Sequence, residues 1–328
     1  MGKQKVVLLK TMWPDTKVEE ELLKGAEADV VLCPSPNEDA VIQYVGNADV
    51  IVAFLVKVTE KILEAAKKCK LVMPTGIGVD NIDVPAATRR GIYVANVPDY
   101  CIDEVSDHTL ALGLNLQRKI IFFNRIAREG RWGVKEAKGI YALKGQTYGI
   151  VGLGKIGCAV AKKVQVFGFK VIAVDPLVSP EEAQKFGVEL VDLKRLLETS
   201  DVISIHAPLS NSTYHMFNGE TIGRMKNSAY LINVSRGSLV DQKALYSALK
   251  LGKIAGAAID VMGEEPPKAN EPLLTLDNVI ITPHVASYSE ASMIELREKI
   301  FREVARVLNG EQPKNWVNRK EMTKQQKN

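Results

Sequence analysis

Tyr148-Gly149-Ile150-Val151-Gly152-Leu153-Gly154-Lys155-Ile156-Gly157 joins a short apolar run to a G-x-G-x-x-G turn, and helix-compatible sequence follows to about Phe167. A second β-branched run, 170–174, ends in Asp175, eighteen residues after Gly157. Strand, glycine turn, helix, strand and acid in this order form the dinucleotide fingerprint. Each position has a physical task. Gly152 permits the tight turn, Gly154 lets the backbone approach a pyrophosphate, and Gly157 lets helix and strand pack closely. The helix N-terminus, at Lys155 and Ile156, turns its amides and its dipole towards phosphate. Asp175 would accept hydrogen bonds from the adenosine ribose and repel a 2′-phosphate, so the expected cofactor is NAD rather than NADP.

Outward from this segment, short apolar runs alternate with helix-like stretches. Runs at 6–9, 30–33, 50–54, 71–73 and 92–95 precede it, and runs at 202–205, 229–233, 257–261 and 279–281 follow it. Runs of this length separated by helices indicate βαβ units around parallel sheets. Two stretches, 104–128 and 289–308, carry apolar residues at helical spacing. Pro98 and Pro283 precede them, near two expected chain crossings. The expected fold class is α/β, with two Rossmann-like doubly wound parallel-sheet domains. The substrate domain would be discontinuous, 1–103 with 290–328, and 104–289 would bind NAD. The polar tail, 320–328, is expected to fray.

Composition narrows the function classes. The 328 residues exceed one typical core, and 43 Lys and Arg against 39 Asp and Glu leave a net charge of +4. That balance does not predict a nucleic-acid partner. No window approaches the roughly 20 apolar residues that span a bilayer, and the N-terminal residues do not resemble a signal peptide. Cys33, Cys69, Cys101 and Cys158 are scattered, as in a reduced cytoplasmic protein. No Cys/His cluster suggests a metal.

The chain has four histidines to supply proton-transfer chemistry. His108, beside Asp107 in the 104–128 stretch, is expected at the surface or as a cap. His206 and Pro208 lie just past a strand, where a cofactor could touch, although simple packing accounts equally for His206. His215 falls in a polar loop and is expected to be solvated. His284 follows the run 279–281 and Thr282-Pro283, and ligands bind at such strand ends in open parallel sheets. Arg236 follows the run 229–233, and its planar, permanently charged fork suits a carboxylate. Glu265 follows the run 257–261, and a carboxylate can orient an imidazole and favour its protonated form. All three follow strands of one expected sheet, and so would meet on one rim.

Along nearly its whole length the chain resembles the D-isomer-specific 2-hydroxyacid dehydrogenases. The matching runs are Gly152–Gly157 with Asp175, Asn233-Val234-Ser235-Arg236-Gly237, Asp260-Val261 through Glu265-Pro266, and Thr282-Pro283-His284. The resemblance implies hydride transfer between NAD and a small 2-keto or 2-hydroxy acid. It further implies that Arg236 binds the substrate carboxylate and carbonyl, that Glu265 pairs with the imidazole of His284, the general acid/base, and that Asp260 contacts the nicotinamide amide. In the N-terminal part, Gly76-Ile77-Gly78 resembles the family loop whose amides meet the substrate carboxylate. A homodimer is implied as well, formed through 104–128 and 130–141.

Two branches of the family look similar. Lys57-Val58-Thr59 resembles D-3-phosphoglycerate dehydrogenases, in which an Arg-Ser pair precedes this run; here Ala53 and Phe54 stand at those positions. Leu55 and Val56 would instead offer apolar surface to the substrate. Asp99 to Thr109 resembles the C-terminal-binding-protein branch, but Pro74 and Ser287 stand where that branch has Arg and Trp. Its members include NAD(H)-sensing corepressor scaffolds, which keep the same three site residues. The short tails favour an enzyme.

Overall fold

The computed structural model describes residues 3–11, 13–137 and 139–325. It divides into two compact units, Met1–Tyr100 with Ser289–Asn328, and Cys101–Tyr288.

In the first unit the strands are β1 (Gln4–Leu9), β2 (Ala28–Cys33), β3 (Val50–Ala53), β4 (Leu71–Pro74) and β5 (Tyr93–Val94), with helices α1 (Lys17–Leu23), α2 (Glu38–Val45), α3 (Glu60–Ala65) and α4 (Val84–Arg89) between them. The sheet is parallel, in the order β2-β1-β3-β4-β5. Both faces of β3 and β4 are buried, which is why these strands read as continuous apolar runs rather than alternating ones. Asn37 and Thr59 cap α2 and α3 by accepting from their first amides.

The second unit begins with α5 (Ile102–Arg118) and α6 (Ile120–Arg128). It continues through β6 (Thr147–Val151), α7 (Lys155–Val166), β7 (Lys170–Val174), α8 (Pro180–Gln184), β8 (Glu189–Leu190), α9 (Leu193–Thr199) and β9 (Val202–Ile205). It ends with α10 (Gly219–Gly223), β10 (Tyr230–Asn233), α11 (Gln242–Lys250), β11 (Gly256–Ile259) and β12 (Val279–Ile281). Its parallel sheet runs β12-β11-β10-β9-β6-β7-β8. The strand order therefore reverses between β6 and β9, and at such a switch point the loops leave in opposite directions and open a crevice. The chain then returns to the first unit through α12 (Glu290–Leu308) and α13 (Arg319–Gln325). A Ser289 capping box starts α12, and a bidentate ion pair from Arg297 to the fully buried Glu19 ties α12 to α1.

Two expectations on local structure change. The 104–128 stretch is two helices rather than one, because Lys119 is left-handed (φ 54°) and interrupts the helical ladder. The break separates two behaviours. α5 buries Val105, Leu112 and Leu116, whereas α6 buries Ile126 and leaves Ile120 and Ile121 half exposed. Of the polar tail, the part up to 325 does not fray, because α13 covers 319–325 with Met322 buried, and 326–328 lie outside the described residues. Just before it, buried Asn318 bonds Val94, Thr88 and Ile92.

Candidate active site

The glycine turn leaves β6 at the switch point. Gly152 has φ 93°, and a Cβ there would lie 2.6 Å from the amide nitrogen of Ala207, in the loop after β9. The two loops that flank the crevice thus approach so closely that only glycine fits. A Cβ on Gly157 would lie 2.2 Å from the carbonyl oxygen of Gly152, so α7 can sit this near its strand only without a side chain. Gly154 differs: the space beside its Cα is open. Leu153, Gly154, Lys155, Leu177 and Val178 line a groove of about 810 Å³. The open face at Gly154, beside the first amides of α7, which have no partner within the helix and no side-chain cap, fits a dinucleotide phosphate. Ile156 is half-buried at this helix start and Lys155 is exposed.

Asp175, at the end of β7, is already engaged. Its Oδ2 accepts from the Leu153 amide and its Oδ1 from the Leu177 amide, each at 2.8 Å. It therefore fastens the glycine turn. Pro208 is exposed after β9, and its carbonyl accepts from Thr213.

Arg236, Glu265 and His284 follow β10, β11 and β12, three neighbouring strands of one parallel sheet, so their loops leave on the same side. His284 Nδ1 lies 2.7 Å from Glu265 Oε2, with side chains 37% and 32% exposed. The other carboxylate oxygen of Glu265 accepts from the Met262 amide at 2.8 Å. The bond to Glu265 raises the His284 pKa above its ordinary value, against partial burial and the nearby Arg236 charge. Burial would lift the Glu265 carboxyl, but the His284 bond and the Met262 amide hold it below the usual carboxylate range. Buried Asn233 pins the Arg236 turn, accepting from Ser235 N and donating to the Arg236 carbonyl. Arg236 Nη1 donates to Ser235 O at 2.8 Å. A Cβ on Gly237 would meet the Met262 carbonyl carbon at 2.1 Å, which brings the loops after β10 and β11 into close approach.

The histidines now separate. Burial pushes the His206 imidazole down to about 3, and its Nε2 lies 2.8 Å from Ser204 Oγ, so it stays neutral and cannot serve as an acid near pH 7. His215 stacks on Tyr214 with ring centroids 4.0 Å apart. His108 is not the surface or capping residue its setting in sequence suggests. Its Nε2 is 3.1 Å from Thr282 Oγ1 and 3.6 Å from an oxygen of the buried Asp260. Asp260 receives Thr282 Oγ1, Val285 N and Ala286 N. Asn233, Thr282 and His108 are site residues that sequence reasoning passed over. The first two lie inside quoted motifs, but nothing local marks His108.

In the first unit, Leu55 is 68% exposed in a left-handed conformation (φ 53°), and Gly76, Ile77 and Gly78 are half-buried after β4. Val56 differs from the expected apolar surface. Its side chain is buried in that unit's own core, which leaves its backbone as the part that could meet a ligand.

A family model described as D-isomer specific 2-hydroxyacid dehydrogenase, NAD binding domain, matches residues 110–286. The chain belongs to the D-isomer-specific 2-hydroxyacid dehydrogenases. This dehydrogenase is 41% identical to a glyoxylate reductase of Korarchaeum cryptofilum over 86% of each chain. It is also 41% identical to a D-3-phosphoglycerate dehydrogenase of Methanocaldococcus jannaschii, over 92% of this chain but 58% of that longer protein. Among solved structures it resembles the D-lactate dehydrogenase of Aquifex aeolicus complexed with NAD and lactic acid. That match has a TM-score of 0.86 at 32% identity, covering 95% of this chain and 98% of the other. The dehydrogenase is thus an NAD-dependent oxidoreductase that interconverts a 2-keto acid and its D-2-hydroxy acid. Among the described residues, no helix is long and apolar enough to cross a membrane.

Proposed function

We propose that this dehydrogenase reduces small 2-keto acids that carry no charge beyond their carboxylate, such as glyoxylate or hydroxypyruvate, with Arg236 holding the substrate's carboxylate and carbonyl oxygen and His284 delivering the proton. The 2.7 Å contact between His284 Nδ1 and Glu265 Oε2 carries this reading. It commits Nδ1 to the carboxylate and leaves Nε2 as the ring atom that exchanges a proton. NADH, when bound, supplies the hydride that the carbonyl carbon accepts. Residues Gly152, Gly154, Lys155, Ile156 and Gly157 would hold its phosphates, Asp175 its ribose, and Pro208 and Asp260 other parts of it. The guanidinium of Arg236 offers two parallel donors to a carboxylate. As negative charge grows on the carbonyl oxygen, His284 donates its proton, and its partly exposed ring regains one from water. In the reverse direction the neutral ring takes the hydroxyl proton. The unit built on 1–100 and 289–328 would be the substrate domain, contributing Leu55, the Val56 backbone and the amides of Gly76, Ile77 and Gly78.

The phosphoglycerate alternative requires cations for a phosphate. Ala53, at the arginine position, is fully buried at the end of β3, and Lys57 is the matching cation that remains in the run. A charge-assisted bond contributes roughly 1.5–3 kcal/mol, so phosphohydroxypyruvate should be used about a hundredfold less efficiently than hydroxypyruvate. Initial rates of NADH and NADPH oxidation with glyoxylate, hydroxypyruvate, phosphohydroxypyruvate and a branched 2-keto acid test this. A preference for the phosphorylated acid, or for NADPH, overturns it.

Glu265→Gln should shift the pH profile. Keto-acid reduction needs protonated His284, so its rate falls as pH rises through the His284 pKa. Losing the partner that raises this pKa moves the fall to lower pH. A profile that stays in place would show that the pair does not work together.

The same reading makes the enzyme a cytoplasmic homodimer. Its four cysteines are free thiols, as a reducing compartment keeps them. Ile120, Ile121, Trp132, Val134 and Tyr141 are 51–90% exposed along α6 and 130–141, a segment whose residue 138 lies outside the described residues. Apolar surface of this extent is expected to be covered by a second copy. Light scattering at micromolar concentration should report twice the chain mass, and a monomer would contradict the assignment.

A further inference from the structure

We propose that His108 is a positioning residue for proton transfer, the anchor of a directed hydrogen-bond chain from His108 through Thr282 to Asp260 that holds the backbone carrying His284. The inference rests on the reading of His284 as proton donor. Counting donors sets the direction of the chain. Both carboxylate oxygens of Asp260 act as acceptors, from Val285 N and Ala286 N at 3.0 Å each. Thr282 Oγ1 lies 2.6 Å from Asp260 Oδ1 and has a single hydrogen to give, which is committed there. Towards His108 Nε2, 3.1 Å away, the hydroxyl oxygen can then only accept. His108 must carry its proton on Nε2, and successive donors in such a chain polarise one another.

The chain ends on the segment that presents the catalytic imidazole. Asp260 takes the two amides that follow His284 and, through its own carbonyl, the His284 amide at 2.8 Å. That segment needs support, because His284 has φ 54°, a region that non-glycine residues rarely occupy unless their surroundings impose it. His108 supplies the support from a rigid element. α5 is seventeen residues long, and its buried face packs on α7, β10 and β11. A helical side chain, here in the second turn of α5, is a firmer anchor for a catalytic loop than another loop would be.

The test compares His108→Leu, His108→Gln and His284→Ala in the full chain, with glyoxylate and NADH. A small misplacement of a reacting group costs up to about a hundredfold, so His108→Leu should lower kcat by about ten- to a hundredfold while KM for NADH stays near wild type. His108→Gln places an amide donor near the same acceptor and should recover most of the loss. Independently of turnover, ¹⁵N NMR of the imidazoles without cofactor should show a proton on His108 Nε2. A bare Nε2 overturns the proposal, as does a His108→Leu kcat within about twofold of wild type while His284→Ala is inactive. If His284→Ala itself retains activity, the proton-donor reading fails first and this inference with it.

Discussion

His284→Ala is expected to lower kcat for keto-acid reduction by about 10²- to 10⁴-fold, the usual cost of removing a general acid. NADH binding should survive, because the glycine turn and Asp175 belong to loops after β6 and β7, away from β12 in the sheet order. Protein fluorescence or thermal shift with NADH would measure the second half of this expectation. The alternatives among the histidines are weak on physical grounds. His206 is held neutral by burial, and His108 directs its nitrogen at Thr282. His284 is hydrogen-bonded to a carboxylate that favours its charged form, and its ring is partly exposed to reload with a proton. Near-normal turnover in the variant on the best substrate would remove it from the role.

Gly157→Ala should be the most damaging single methyl group on the cofactor side. The added carbon would lie 2.2 Å from the Gly152 carbonyl oxygen, a backbone atom that cannot rotate away. Overpacking of a tight site costs roughly 1–3 kcal/mol, so α7 must shift off its strand and melting should occur several degrees lower. The helix N-terminus moves with it, and NADH affinity should fall by at least about tenfold. Gly154→Ala is the contrasting case. Its side-chain position is open, so the fold should be unaffected while the methyl group obstructs the dinucleotide. Equal NADH affinity in both variants and the wild type, measured by titration, would refute the assignment of this turn.

The two parallel sheets, the turn at 152–157 and the placement of Arg236, Glu265 and His284 just past three strands of one sheet were legible in the chain itself. Each is encoded within a few tens of residues: an apolar run, a glycine spacing, a charged group just past a strand. The break at Lys119 was not legible, because a lysine carries no signature of a left-handed backbone. Nor was the burial of Val56, which depends on the core packed around it.

By itself the amino-acid order determined the α/β class, the glycine turn and the acid, Asp175, at the end of the strand that follows it. These depend on local periodicity and on where glycine alone fits. Only the tertiary structure decided which polar groups meet. Arg236, Glu265 and His284 share a rim because β10, β11 and β12 are neighbours in the sheet. His108 reaches Thr282 across 174 residues of chain because α5 packs on β10 and β11. Contacts of that kind are set by strand order and helix packing, and a sequence pattern confined to one element does not contain them.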